Sequence, residues 1–186
     1  MNRRTALMTI ASSLTLAACV HRPYRTAVLD GPPGGAYTLA SGDRLRIIVF
    51  GQDNLSNIYA VDGSGRIAMP LIGAVPVAGL STAQVERAVE ARLKAGYIRE
   101  PKVTVEVDTY RPFFVLGEVT NSGQYPYVNG MTVQTAVAIA GGYTPRAAKD
   151  SAEITRQVEG RLVTGTVPIT YPVRPGDTIV IKERWF

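Results

Sequence analysis

With 186 residues and an apolar fraction of 46%, the chain is long enough for one ordinary domain or two small ones and too hydrophobic for global disorder. Its 20 Lys and Arg exceed its 15 Asp and Glu, giving a formal charge of +5, yet the arginines are scattered among acids, which excludes the basic stripe a nucleic-acid binder needs. One cysteine excludes a disulfide framework and a cysteine-built metal site.

In chain order, residues 1–18 read as a targeting segment. Arg3 and Arg4 precede Ala6–Ala18, an apolar stretch too short to span a bilayer as a mature helix. Leu16-Ala17-Ala18-Cys19 resembles a bacterial lipoprotein signal, in which Cys19 is lipidated and becomes the new N-terminus. An unlipidated secreted protein would carry Cys19 as an unpaired thiol, which is unusual in an oxidising compartment. Val20 in place of Asp after the cysteine resembles the enterobacterial signal for the outer membrane. Residues 19–36 carry Pro23, Pro32 and Pro33 with Gly31, Gly34 and Gly35, and read as an irregular tether. His21, the one histidine, falls in that tether, so neither a histidine-based triad nor a histidine metal site is expected.

From Tyr37 the pattern tightens. Ser41-Gly42-Asp43 is a turn that feeds a strand over Arg44–Phe50. Val61–Pro70 reads as a hairpin turning at Asp62-Gly63-Ser64-Gly65, and Gly73–Val77 is a further short apolar piece. Ser81 followed by Gln84 is a capping box, with Leu80 and Val85 as its hydrophobic staple. Val85, Ala88, Val89 and Leu93 form the buried stripe of the helix that follows. Glu86, Glu90 and Lys94 lie mostly on its wet side at i+4 steps, the first pair repulsive and the second attractive. Gly96 stops this helix. Val103, Val105 and Val107 face inward on an alternating strand whose Thr104, Glu106 and Asp108 face outward.

A domain boundary is placed near Tyr110-Arg111-Pro112. Beyond it come a strand at Phe113–Val119, a turn at Asn121-Ser122-Gly123 and a second strand at Gln124–Val128. Thr132 then opens a helix with Val133, Ala136, Val137 and Ala140 on one stripe, ended by Gly141-Gly142. This is the opening of a ββα grasp-like unit. Strands at Ala152–Gln157 and Leu162–Ile169 turn at Glu159-Gly160, and a last strand runs over Thr178–Glu183. The predicted fold class is α+β, with two small domains over 37–109 and 110–186. One internal echo is visible: YTLASGDRLRI at Tyr37–Ile47 against YPVRPGDTIVI at Tyr171–Ile181. It reads as one turn-into-strand solution used twice, with no shorter period that would signal a repeat array.

Catalytic chemistry is sparse. Glu106 and Asp108 share a strand face about 7 Å apart, within reach of a glycosidase carboxylate spacing, although such alternating acids are ordinarily a solvated face. Gly63-Ser64-Gly65 and Gly141-Gly142 lack phosphate-loop spacing. Tyr125, Tyr127, Tyr143 and Tyr171 are amphipathic rings suited either to stacking on sugars or to packing in a core. No catalytic residue, cofactor site or metal site is therefore expected.

These residues resemble a known family. YTLASGDRLRIIVFGQDNLS, VDGSGRIAMPLIGAVPVAGLS and GYIREPKVTVEV are similar to the N-terminal domain of outer-membrane polysaccharide export lipoproteins. FFVLGEVTNSGQYPYVNGMTVQTAVAIAGGYTPRA is similar to the soluble-ligand-binding β-grasp (SLBB) domain that follows it. The resemblance implies a non-enzymatic component of capsular or exopolysaccharide export. That component is lipid-anchored in the outer membrane through Cys19, faces the periplasm and assembles into a homo-oligomeric ring around the polymer. An inner-membrane co-polymerase is the implied partner, and nucleic acid is not. The larger family members have more β-grasp domains and a pore helix, whereas this sequence ends at Trp185-Phe186, which reads as a surface anchor or a core plug. A separate outer-membrane β-barrel is therefore expected to supply the pore. Tyr125, Tyr127 and Tyr143 are the candidate sugar contacts. The alternative is a non-conducting periplasmic glycan-binding scaffold or sensor; a polysaccharide-modifying enzyme is disfavoured.

Overall fold

The computed structural model describes Leu29, residues 37–158 and residues 160–185. The expected signal peptide, Cys19, His21 and all of the tether except Leu29 lie outside these residues. The described chain is α+β and is organised around two hydrophobic cores.

The first core begins at the Ser41-Gly42-Asp43 turn. Strand β1 (Arg44–Val49) buries Leu45, Ile47 and Val49 by strict alternation. It pairs antiparallel with β2 (Asn57–Ala60) on one side and β5 (Val103–Thr109) on the other, giving the sheet order β2-β1-β5. A separate two-stranded sheet joins β3 (Arg66–Met69) to β4 (Gly73–Pro76). Helix α1 (Thr82–Lys94) lays Val85, Val89 and Leu93 on this core, all fully buried. Its start is the expected capping box: Ser81 Oγ accepts from the Gln84 amide, and Gln84 Oε1 accepts from the Ser81 amide at 2.8 Å.

Two local readings change here. The Asp62–Gly65 turn does not close a hairpin. Asp62 Oδ1 accepts from the amides of Ser64 and Arg66, which tightens the reversal. The strand before it pairs with β1, however, while the strand after it pairs with β4, so the turn passes the chain between sheets. Glu86 and Glu90 are also not simply a wet, repulsive pair. Glu90 Oε1 accepts from the Val103 amide at 3.0 Å and Glu86 Oε1 from the Val105 amide at 2.9 Å. Both carboxylates thus occupy the free edge of β5, where backbone donors would otherwise need water.

The second core is a five-stranded mixed sheet ordered β7-β6-β10-β8-β9 and crossed by helix α2 (Val133–Ile139). Its strands are β6 (Phe113–Gly117), β7 (Gly123–Tyr125), β8 (Ser151–Val158), β9 (Arg161–Pro168) and β10 (Thr178–Ile181). β6 and β10 are parallel and the other pairings antiparallel, which is the arrangement of a β-grasp unit. β7 is shorter than the expected Gln124–Val128 strand, because Pro126 has no amide to donate to the ladder. β6 ends at Gly117, whose φ of +87° suits glycine and where a Cβ would overlap the Ile181 carbonyl. Thr132 caps α2, and Val133, Ala136, Val137 and Ala140 are buried as the stripe requires.

Leu29 is fully buried in this second core, beside Phe113, Ile154 and Ile179. A residue expected in a tether is therefore part of a folded domain.

Candidate functional site

The internal echo becomes a pair of matching side-chain clusters. In both copies a glycine with positive φ (Gly42 at +94°, Gly176 at +85°) precedes a fully buried aspartate. In both, that aspartate folds back on the residue three before it: the Ala40 amide donates to Asp43 Oδ2 at 2.9 Å and the Arg174 amide to Asp177 Oδ2 at 2.7 Å. Each turn then runs into a strand, β1 or β10. Each aspartate also meets an arginine whose Cζ lies near a tyrosine six residues before it. Arg111 is 5.8 Å from the Tyr37 ring centroid, and Arg156 is 5.5 Å from that of Tyr171.

The copies differ in how fully the arginine is used. Arg156 is buried and grips Asp177 through two bonds, Nε to Oδ1 at 2.9 Å and Nη2 to Oδ2 at 2.7 Å. Its Nη2 also donates to the Pro172 carbonyl at 3.0 Å, and its Nη1 to the Leu29 carbonyl at 2.9 Å. Burial alone would lower the Arg156 pKa; the bonds to Asp177 outweigh it and hold the group above the usual arginine value.

Arg111 sits between the two turns. Its backbone amide donates to Asp43 Oδ1 at 2.9 Å, and its Nη1 donates to the Tyr37 hydroxyl at 2.8 Å and to Asp43 Oδ2 at 3.3 Å. The Tyr37 hydroxyl in turn donates to Asp43 Oδ2 at 2.7 Å. Burial, reinforced by that bond, pushes the Tyr37 hydroxyl well above the ordinary tyrosine value. On the other side a Cβ at Gly176 would come within 2.7 Å of Arg111 Nε, so the guanidinium occupies space that only a glycine leaves. Arg111 thereby ties the turn of one core to the turn of the other. A row of edge-on rings follows the same seam: Tyr37 on Tyr110 at 5.0 Å, and Tyr110 on Tyr127 at 5.4 Å.

A cavity of about 580 Å³ opens beside this seam, lined among others by Tyr37, Arg111, Tyr127, Asn129, Arg156 and Arg174. It combines flat amphipathic rings, amide groups and guanidinium donors, which suits recognition of a polar or anionic ligand.

The tyrosines expected as sugar contacts are not gathered at one surface. Tyr127 lines the cavity. Tyr125 donates its hydroxyl to the Asn121 carbonyl and its ring is tilted against Phe113. Tyr143 bridges to Val119, and its hydroxyl has no hydrogen-bond partner among the described residues. Both rings pack on the second core. Burial raises the hydroxyl pKa of Tyr127 and of Tyr143. Asp108, half of the carboxylate pair considered above, is bonded to Arg46 at 2.9 Å, and that bond draws its pKa down; a general acid needs the reverse. The repeated Tyr-x-x-x-x-Gly-Asp pattern marks both aspartates, whereas no local signal in the sequence singles out Arg111 or Arg156 as their partners.

Residues 31–108 match the family described as polysaccharide biosynthesis/export protein, and residues 112–167 match the SLBB domain. The chain is similar to the exopolysaccharide production protein ExoF of Rhizobium meliloti, at 34% identity over 90 residues, covering 47% of this chain and 21% of the relative. It is similar to the polysialic acid transport protein KpsD of Escherichia coli at 30% identity over 111 residues, covering 59% of this chain and 20% of the relative. The chain thus spans about a fifth of the length of the curated relatives it matches.

Proposed function

We propose, from the match of residues 31–108 to the polysaccharide biosynthesis/export family and of residues 112–167 to the SLBB domain, that the chain is a member of that family and a component of a capsular or exopolysaccharide export complex. The observation that carries the reading is the succession of these two domains, tied through Arg111 at the junction of their cores. The similarity to proteins named for exopolysaccharide production and polysialic acid transport supports it.

In its finer form the proposal has a mature chain lipidated at Cys19, held at the outer membrane and facing the periplasm. Copies assemble into a ring for polymer passage, an inner-membrane co-polymerase feeds it, and a separate β-barrel completes the path. Uncovered apolar side chains support an assembling protein: Phe50, in the turn after β1, is 82% exposed, and Ile48 on β1 and Phe114 and Leu116 on β6 are exposed as well. Among the described residues no helix is long and apolar enough to cross a membrane. Function in such an assembly lies in shape, lining polarity and interfaces, with no reactive centre required.

Deleting the gene tests the reading. Surface polysaccharide is expected to vanish while its synthesis enzymes stay active. The junction cavity also suits a second reading, a non-conducting glycan-binding scaffold or sensor, and unchanged secretion in the deletion strain would move the assignment there.

A further inference from the structure

We propose that Leu29 is a latch: it fixes the lipid-anchored N-terminal segment into the second core, so that this domain is the one tied to the membrane surface, on a reach of ten residues. The proposal rests on the reading of Cys19 as the lipidated residue and goes beyond it in stating which part of the fold the anchor holds. Two contacts of Leu29 itself carry it.

Both the side chain and the backbone of Leu29 are held. The side chain is fully buried and belongs to the same apolar cluster as Phe113, Ile154 and Ile179. Its carbonyl accepts from Arg156 Nη1 at 2.9 Å. Arg156 is 4% exposed and commits its Nε and Nη2 to Asp177, which leaves Nη1 for this contact. Withdrawing Leu29 would open a leucine-sized hole in the core and strand a buried guanidinium donor without its acceptor, both unfavourable. A segment that only brushes a surface meets neither penalty. The contact spans 127 positions of sequence and passes over the whole export domain to reach the one that follows it.

This placement shortens the reach of the anchor. Were the chain free up to Tyr37, eighteen residues would separate it from Cys19, a fully extended span of about 65 Å. Held at Leu29, the span is ten residues and at most about 36 Å. A domain the size of the second has a radius of gyration of about 11 Å, so that limit keeps it beside the bilayer. The first domain is then carried through the Arg111 junction and not by the anchor itself. Trp185 suits the arrangement. It follows β10 in the second domain and is 94% exposed, which excludes the core plug and leaves the surface anchor. An indole is favourable at the headgroup layer of a membrane.

The test uses Trp185, the single tryptophan of the sequence, as an energy-transfer donor. The lipidated mature chain is placed in vesicles of phosphatidylethanolamine and phosphatidylglycerol that carry a dansyl headgroup lipid, and transfer from Trp185 is measured. Two variants receive the same twenty-residue Gly-Ser insertion, a coil with a mean span of about 25 Å. Between Arg22 and Pro23, upstream of the latch, the insertion should lower the transfer by about twofold or more. Between Gly34 and Gly35, downstream of it, the insertion should leave the transfer unchanged, because Leu29 already sets the reach. Neither insertion replaces a residue of the two cores. No transfer in the parent chain, equal losses in the two variants, or a larger loss from the downstream insertion would each overturn the proposal. Mass spectrometry of the same preparations reads the acyl chains on Cys19. An unacylated Cys19 removes the lipoprotein reading and the membrane role of the latch together, whereas an acylated Cys19 with equal losses removes the latch alone. The deletion strain judges export separately.

Discussion

The two Gly-Asp turns use the same residues to different ends. Around Asp177 all three guanidinium nitrogens are engaged: the aspartate, two backbone carbonyls and the Tyr171 ring enclose Arg156, which is buried. Around Asp43 the same turn, tyrosine and guanidinium are present, but the arginine comes from the interdomain segment, stays partly exposed and uses one terminal nitrogen. One copy closes a domain internally; the other joins two domains beside a cavity. The difference comes from where the arginine stands in the chain, since the aspartates are equally buried.

Stability measurements can break this comparison. Asp177→Ala should have the largest effect, because it leaves the Arg156 guanidinium buried without its counter-ion; a loss of about 3–5 kcal/mol is expected in denaturant unfolding. Asp43→Ala leaves the amides of Ala40 and Arg111 without their acceptor, but the partly exposed Arg111 can turn to water, so about 2 kcal/mol is expected. Equal losses at the two aspartates would show that the clusters are energetically alike. Arg46→Ala, which breaks the exposed pair with Asp108, sets the lower bound and should cost less than about 1 kcal/mol.

Alkaline pH sharpens the comparison through Tyr37. Its hydroxyl resists ionisation in the folded chain, first through burial and then through its bond to Asp43, whereas in the unfolded chain it ionises near the ordinary value of 10.0. Above that pH the unfolded state sheds a proton that the folded state keeps. Stability should therefore be unaffected by this group below pH 10.0 and fall as pH rises beyond it. Tyr37→Phe should flatten that alkaline slope in a series of unfolding curves; an unchanged slope would remove Tyr37 from the account.

Much of the fold was legible because its signals are local. Ser81 with Gln84 announces α1, Thr132 with the Val133, Ala136, Val137 and Ala140 stripe announces α2, and the alternation of Val103, Val105 and Val107 announces β5. What the sequence hid depends on distant partners. The Asp62–Gly65 turn looks like a hairpin until β1 and β4 claim the strands on either side of it. Glu86 and Glu90 look repulsive until each is seen to accept from its own edge amide, Val105 and Val103 respectively. Leu29 looks like tether until the second core takes it in.

The candidate site was legible only in part. The echo of Tyr37–Ile47 in Tyr171–Ile181 exposed both aspartates. Their arginines stand 68 residues after Asp43 and 21 residues before Asp177, with nothing in the local sequence to mark them. Of the tyrosines marked for sugar contact, Tyr127 reaches the cavity, while Tyr125 and Tyr143 serve the core.

The claim that Asp177 closes one core while Asp43 joins two is tested most directly by unfolding Asp177→Ala and Asp43→Ala side by side in denaturant. The account predicts the clearly larger loss of stability at Asp177, whose arginine is buried. Equal losses, or a larger loss at Asp43, would contradict it.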